Sequence, residues 1–166
     1  DHKVLVKGLP ASPGMAAGKC HVITDPKDIN EFQEGEVLVT TMTSPDWVPA
    51  MKKAIAIVTD AGGMTCHASI VSRELGIPCV VGTKSRSVEA TKVLKSGQDI
   101  TIDAQNGVVY DGIVADLVKK DEPQQAQGAA QTVVAEYFAP TGTGVMMNLG
   151  DPDLADKYAS LPCDGI

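Results

Sequence analysis

A glycine pair that precedes a histidine is the feature of this chain with the clearest chemical potential. Gly62 and Gly63 follow a short apolar run at residues 54–58 and come shortly before His67. A neutral imidazole is a competent nucleophile near pH 7, and glycine lets the backbone approach a ligand closely. The spacing therefore predicts a nucleophilic histidine beside a backbone turn that can receive an anion.

The segments around this histidine predict a strand, a tight turn and a helix. The apolar run at residues 54–58 is short enough to be a buried strand, and Thr65 is a favoured N-cap residue. Gly76 stands where a helix C-cap is expected. The apolar residues predicted to share one helix face are Ala68, Val71 and Leu75. This order places His67 in the first turn of the helix.

The start of a helix is a favourable place for a negatively charged group. The first backbone N–H groups of a helix lack intrahelical partners, and the helix dipole adds about 0.3–1 kcal/mol for an anion there. A phosphoryl group on His67 would meet these donors. A capping or surface histidine fits the same pattern, so the residues alone predict an anion-friendly histidine and leave its chemistry open. Cys66 as a thiolate nucleophile is the alternative, although neighbouring residues on a helix do not face each other.

A longer motif around His67 resembles a known family. The stretch from Gly62 to Gly82, GGMTCHASIVSRELGIPCVVG, resembles the phosphohistidine signature of the phosphoenolpyruvate-utilising enzymes. That family includes phosphoenolpyruvate synthases, pyruvate phosphate dikinases and enzyme I of the sugar phosphotransferase system. The resemblance implies that His67 carries a phosphoryl group on a swivelling domain. The segment Pro45-Asp46-Trp47 is similar to the synthase branch in particular.

The resemblance also implies roles for residues around the histidine. The backbone positions predicted to contact the phosphoryl group are Gly62, Gly63, Thr65 and Cys66. Thr65 also matches a threonine that a regulatory kinase phosphorylates in bacterial relatives, and a dianion there would repel a phosphorylated His67. Met64 stands where many relatives have arginine, so we expect no anion contact from that position.

The reaction implied by the resemblance is the conversion of ATP, pyruvate and water to phosphoenolpyruvate, AMP and phosphate. The expected partners are the nucleotide-binding and phosphoenolpyruvate/pyruvate-binding domains of the same polypeptide, which would bind ATP, pyruvate and Mg²⁺. No metal or cofactor is expected on this chain itself. Two alternatives remain at this point. One is the equivalent domain of a pyruvate phosphate dikinase, which uses phosphate instead of water, and the other is a catalytically silent docking module.

The order of elements predicts an α/β fold with strands in more than one layer. By resemblance, residues 1–118 form the swivelling β/β/α phosphohistidine domain. Residues 119–140 are polar and predict a linker, and residues 141–166 resemble the first strand and helix of a phosphoenolpyruvate/pyruvate-binding TIM barrel. Because such a barrel needs about 250 residues, this last segment is expected to be a truncated remnant.

Turn and strand signals predict several further elements. Strands are predicted at Gly18–Thr24, Glu36–Met42 and Pro78–Val81, and a hairpin is predicted for Ile100–Asp103 with Val108–Tyr110. Short helices are predicted after Ser44 and over Val88–Leu94. The proline- and glycine-rich segment Gly8–Gly18 predicts a rigid turn and no regular element.

Composition narrows the possible partners and location. A net charge of −7 without a basic run argues against binding to nucleic acid or an anionic membrane. The sequence has no apolar stretch long enough to span a bilayer. The four cysteines have neither a CxxC pair nor zinc-ligand spacing, which favours free thiols in a reducing cytoplasm.

Overall fold

Strands form the framework of the computed structural model, which describes residues 2–118. The strands in this part of the chain are β1 (Val4–Lys7), β2 (Leu9–Ser12), β3 (Met15–Val22), β4 (Val37–Thr40), β5 (Ala56–Thr59), β6 (Cys79–Val81), β7 (Asp99–Asp103) and β8 (Val108–Asp111). The helices are α1 (Val48–Lys53), α2 (His67–Leu75), α3 (Thr83–Arg86), α4 (Ala90–Val93) and α5 (Ala115–Val118), with 3₁₀ helices at Pro26–Glu31 and Pro45–Trp47. The predicted linker and barrel remnant lie outside the described residues.

Strand β3 joins a parallel and an antiparallel part of the structure. The strands follow the order β1-β8-β7-β3-β4-β5-β6-β2. The first part of β3, residues 15–19, pairs antiparallel with β7, whereas residues 20–22 pair parallel with β4. Strands β4, β5 and β6 are parallel, and β2 closes that side antiparallel to β6. The predicted α/β class is therefore confirmed as a mixed α/β sheet fold.

The parallel strands are buried on both faces, which explains their continuous apolar sequences. In β4, Val37 and Val39 belong to one core cluster, while Leu38 between them belongs to a second. Because side chains alternate along a strand, this division separates the two faces of the parallel sheet. The first core includes Ile100 and Ile102 of β7, and the second includes residues of α1 and α2. The domain thus has two apolar layers around its parallel strands.

The carboxyl ends of β4, β5 and β6 lie at one edge of the sheet because these strands are parallel. The chain leaves this edge toward α1 after β4, toward α2 after β5 and toward α3 after β6. Helix α2 packs against β2, β5 and β6. This edge is where open α/β sheets usually place their functional groups.

Several sequence predictions agree with these elements. Strand β4 lies within the predicted strand Glu36–Met42, and the hairpin of β7 and β8 has the predicted antiparallel pairing. Strand β6 begins directly after Pro78, so the proline precedes the ladder. Among residues 2–118, no helix is long and apolar enough to cross a bilayer.

The prediction of a turn over Gly8–Gly18 is wrong. Two strands occupy most of this segment, namely β2 and the beginning of β3. Pro10 lies within β2, which is tolerated because β2 is an edge strand and not every backbone N–H there needs a partner. The predicted helix over Val88–Leu94 is also shorter than expected, since α4 covers only Ala90–Val93 and Glu89, not Ser87, is its N-cap residue.

A substitution at Leu38 tests whether the parallel sheet packs against α1 and α2 as described. Its side chain is fully buried in the second core. We expect Leu38→Ala to lower the free energy of unfolding by about 2–5 kcal/mol, because the substitution removes apolar contacts and leaves a cavity. Urea denaturation would measure this loss. Ile113→Ala is the matched control: Ile113 is 62% exposed, so its loss should stay within about 0.5 kcal/mol. Equal losses for the two variants would contradict this packing.

Candidate functional site

Helix α2 begins with the candidate nucleophile. His67 is the first helical residue, which confirms its predicted place in the first turn. The prediction that Thr65 caps the helix is wrong, because Cys66 is the N-cap residue. The backbone N–H of Cys66 donates to the carbonyl oxygen of Gly63 at 3.1 Å. The turn thus takes one more residue than expected before the helix starts.

A threonine in the loop after strand β4 lies against the imidazole of His67. Nδ1 of His67 lies 3.0 Å from Oγ1 of Thr43, which follows β4 and is buried. The contact forms because β4 and β5 are parallel neighbours whose carboxyl ends lead into Thr43 and into the turn before His67. Within residues 2–118, Nε2 of His67 has no hydrogen-bond partner. The ring is therefore fixed at one nitrogen and available at the other.

Partial burial controls the charge of this imidazole. Burial lowers the pKa of His67 below its ordinary value near 6.5, and the nearby Glu74 carboxylate opposes that shift. The ring is therefore mainly neutral at pH 7, which is the form able to act as a nucleophile.

Residues 61–66 form what we call the glycine turn. Only glycine fits at position 62 of this turn. Gly62 has a φ of +117°, and a Cβ atom there would lie 2.8 Å from Sγ of Cys66. Gly63 has no positive φ, and a Cβ atom there would meet nothing within 4 Å. The two glycines therefore differ. Gly62 adopts a positive φ that other residues rarely adopt, whereas the space beside the backbone of Gly63 is open.

Side chains of α2 hold the carbonyl groups of the glycine turn. The hydroxyl of Ser69 donates to the carbonyl oxygen of Gly63 at 2.7 Å. The guanidinium of Arg73 donates to the carbonyl oxygen of Met64 and, through Nε, to that of Ser69 at 2.9 Å. These bonds tie the turn to the helix that follows it.

The backbone N–H groups of the same region are mostly available. Within the described part of the chain, the N–H groups that donate no hydrogen bond include those of Gly62, Gly63, Thr65, His67 and Ala68. Of the four backbone positions predicted to contact a phosphoryl group, only Cys66 already donates within the turn. Free donors at the start of a helix, together with its dipole, favour an anion next to His67.

The three described cysteines have different surroundings. Sγ of Cys66 lies 3.3 Å from Oγ of Ser69, beneath the turn. Burial raises the pKa of Cys20, and it raises that of Cys79 to about 12. The three thiols at positions 20, 66 and 79 are free. Cys20 and Cys79 therefore serve as buried apolar groups.

The remaining titratable groups do not assemble a second centre in the structure that we describe. Nδ1 of His21 lies 2.9 Å from Oε2 of Glu36, and the ring packs near Phe32, so this histidine has a structural setting. His2 is exposed near the chain end. Residues 2–118 contain no group of three or more His, Cys, Asp or Glu side chains that could hold a metal ion.

Thr43 contacts the candidate histidine, and the sequence analysis did not predict this contact. It lies 24 positions before His67, and no local spacing links the two. A signal was nevertheless present, because the residue directly after a predicted parallel strand faces the edge where the next strand also ends. Pairing the strands at residues 36–42 and 54–58 would have brought Thr43 to the site.

Comparison with known proteins finds similar sequences over the region that contains His67. Residues 32–107 match the family model of the mobile domain of phosphoenolpyruvate-utilising enzymes. The chain is 59% identical over 172 residues to a probable phosphoenolpyruvate synthase of Staphylothermus marinus, a match that covers 100% of this chain and 20% of that protein. It is 56% identical over 166 residues to the phosphoenolpyruvate synthase of Pyrococcus furiosus, again with 100% and 20% coverage.

A solved structure also has a similar fold. The N-terminal domain of Enzyme 1 - Nitrogen superposes with a TM-score of 0.51 at 12% sequence identity, covering 64% of this chain and 93% of that one. This likeness concerns the fold alone. The chain spans only about a fifth of the length of the curated relatives that it matches.

The lowered pKa of His67 predicts a specific pH dependence of stability. As the pH falls below about 6.5, the unfolded chain takes up this proton before the folded chain does. The free energy of unfolding should therefore decrease from that pH down through the lower pKa of the folded state, and the full contribution should be present above it. Urea denaturation across this range would show the effect. His67→Gln should remove this component of the slope, and an unchanged slope would contradict the buried neutral ring.

Proposed function

We propose that this chain is a mobile domain of the phosphoenolpyruvate-utilising enzymes and that His67 is its phosphoryl carrier. The observation that supports this role best is the hydrogen bond between Nδ1 of His67 and Oγ1 of Thr43. It fixes the ring and leaves Nε2 as the nitrogen available for attack. The domain would be the swivelling β/β/α carrier of a phosphoenolpyruvate synthase.

The proton on the imidazole decides which nitrogen reacts. When Nδ1 carries the proton, it donates to Oγ1 of Thr43, and Nε2 keeps a free lone pair. Nε2 then attacks phosphorus while Nδ1 stays bonded to the threonine. Thr43 is accordingly proposed as a positioning residue that selects this tautomer and limits rotation of the ring.

The glycine turn would stabilise the charge of the transferred group. Free N–H groups of Gly62, Gly63 and Thr65 lie in the turn, and those of His67 and Ala68 begin the helix. Preorganised backbone donors of this kind are effective because they need no reorganisation when charge develops. Cys66 was also predicted as a phosphate contact, but its N–H is already used by Gly63, so we leave it out of the proposed set.

The proposed relay has three steps. Nε2 of His67 attacks the β-phosphorus of ATP, so that an N–P bond forms, the bond between the α- and β-phosphates breaks and AMP leaves. Water then removes the outer phosphate from the pyrophosphoryl-histidine. The enolate oxygen of pyruvate finally attacks the remaining phosphoryl group, which breaks the N–P bond and yields phosphoenolpyruvate. A covalent carrier divides one difficult transfer into steps that are each more accessible.

The rest of the machinery would come from the same polypeptide. Because the chain covers 20% of its relatives, we propose that a nucleotide-binding domain and a phosphoenolpyruvate/pyruvate-binding domain lie in the remainder. Those domains would bind ATP, pyruvate and the Mg²⁺ that phosphoryl transfer needs. We place the enzyme in the cytoplasm.

Thr65 is the proposed regulatory position. It is exposed and lies two residues before His67 in the glycine turn. A phosphate on its hydroxyl would add up to about two negative charges beside the donors that serve the carrier histidine. Phosphorylation by a regulatory kinase would therefore prevent the relay by electrostatic repulsion.

Labelling of the full-length protein tests the carrier role. With Mg·ATP labelled at the β-phosphate, we expect acid-labile, base-stable label on the wild-type protein and none on His67→Ala. His21→Ala is the matched control, since His21 lies in a structural pair with Glu36, and it should keep the label. Label that persists in His67→Ala would contradict the proposal. A complete reaction that requires added phosphate would indicate a dikinase, and full activity without added phosphate would indicate a synthase.

A further inference from the structure

A buried carboxyl group lies directly before the glycine turn. Asp60 follows Thr59, the last residue of β5, and is 2% exposed. The proposed relay gives it no role. Burial of a carboxyl group is costly unless its oxygens accept hydrogen bonds. Its partners therefore show what this residue holds in place.

Asp60 joins three separate elements of the domain. Its Oδ1 accepts from the hydroxyl of Thr83 at 3.3 Å and from the backbone N–H of Thr91 at 3.1 Å. Its Oδ2 accepts from the hydroxyl of Thr91. Its backbone N–H donates to Thr40, and its carbonyl oxygen accepts from the N–H of Lys84. One residue thus links the end of β4 to α3 and α4.

This network lies against the backbone of the glycine turn. A Cβ atom on Gly82 would lie 2.7 Å from the carbonyl oxygen of Gly62. The corner between β6 and α3 is therefore in close contact with the turn. Thr83, the next residue of that corner, is the one whose hydroxyl binds Asp60. Asp60 holds in place the surface on which Gly62 rests.

The turn is consequently supported from two directions. From α2, the hydroxyl of Ser69 binds the carbonyl oxygen of Gly63. From α3 and α4, the Asp60 network holds the corner against Gly62. If the second support were lost, the free N–H groups before His67 could shift relative to the imidazole.

We propose that Asp60 is a positioning residue that sets the glycine turn for phosphoryl transfer at His67. The inference rests on the proposed carrier function. Asp60 does not touch the phosphoryl group; it acts through the Gly82–Thr83 corner and the turn. Small displacements matter in such a site, since a shift of about 1 Å can cost about 100-fold in rate.

Single-turnover phosphorylation of His67 in the full-length protein tests this role. Over a series of Mg·ATP concentrations, we expect Asp60→Ala to slow the maximal labelling rate by about 10- to 100-fold and to leave the half-saturating ATP concentration unchanged. Asp60→Asn should stay within about 3-fold of wild type. Its amide oxygen can accept from Thr83 and the Thr91 N–H, and its amide N–H can donate to the Thr91 hydroxyl. Rescue by asparagine would separate geometry from charge.

Asp103 offers a matched control. It is 5% exposed, and its carboxyl oxygens accept from the backbone N–H groups of Gln105 and Asn106 and from the Asn106 side-chain amide, all within the hairpin turn. Asp103→Ala should lower the melting temperature but label at the wild-type rate for each folded molecule. Thermal unfolding of every variant supplies the folded fraction for this correction.

A milder variant covers the case in which Asp60→Ala does not fold. Thr91→Val removes only the hydroxyl that binds Oδ2, and we expect labelling to slow by about 2- to 5-fold. The inference would be overturned if Asp60→Ala and Thr91→Val label at the wild-type rate. It would also be overturned if Asp60→Asn or Asp103→Ala slows labelling as much as Asp60→Ala does. Absence of label on His67 in the wild type would overturn the carrier function and this inference together, whereas wild-type labelling in all Asp60 variants would overturn this inference alone.

Discussion

The parallel pairing of β4, β5 and β6 is the constraint from which the rest of the site follows. Because these strands run in the same direction, their carboxyl ends open at one edge. Thr43, the glycine turn and the Gly82–Thr83 corner meet there, although they are far apart in the sequence. Burial on both faces of the strands holds that edge rigidly, since each strand contributes side chains to two cores. A side chain placed at this edge is held in a fixed local geometry.

Within the site, the backbone carbonyl groups and the backbone N–H groups differ in whether they already have hydrogen-bond partners. The carbonyl groups of Gly63 and Met64 are bound by side chains of α2, and the N–H groups around His67 remain largely free. A turn with its acceptors satisfied and its donors available favours an anion without a bound metal or a basic side chain. This arrangement also fits Met64, which cannot contribute a positive charge. Burial lowers the pKa of His67, so the imidazole beside this turn is mainly neutral at pH 7.

The sequence allowed good predictions where the decisive interactions are local. The histidine helix and the Asn106-Gly107 hairpin depend on neighbouring residues, and both were predicted within a few positions. The helix cap was placed at Thr65 and lies at Cys66, because the internal bond of the turn takes one more residue. Strand β2 was missed because an edge strand tolerates Pro10. The contact of Thr43 with His67 and the network of Asp60 depend on strand pairing across the fold, which no local pattern specifies.

The central claim is that Thr43 fixes Nδ1 of His67 and leaves Nε2 to carry the phosphoryl group. Nuclear magnetic resonance of the phosphorylated full-length protein, with ¹⁵N-labelled histidine, tests it most directly through the coupling between phosphorus and nitrogen. We expect the coupling at Nε2 and a proton on Nδ1, which would donate to Oγ1 of Thr43 across the 3.0 Å contact. Phosphorus coupled to Nδ1, or to a nitrogen of another histidine, would contradict the account.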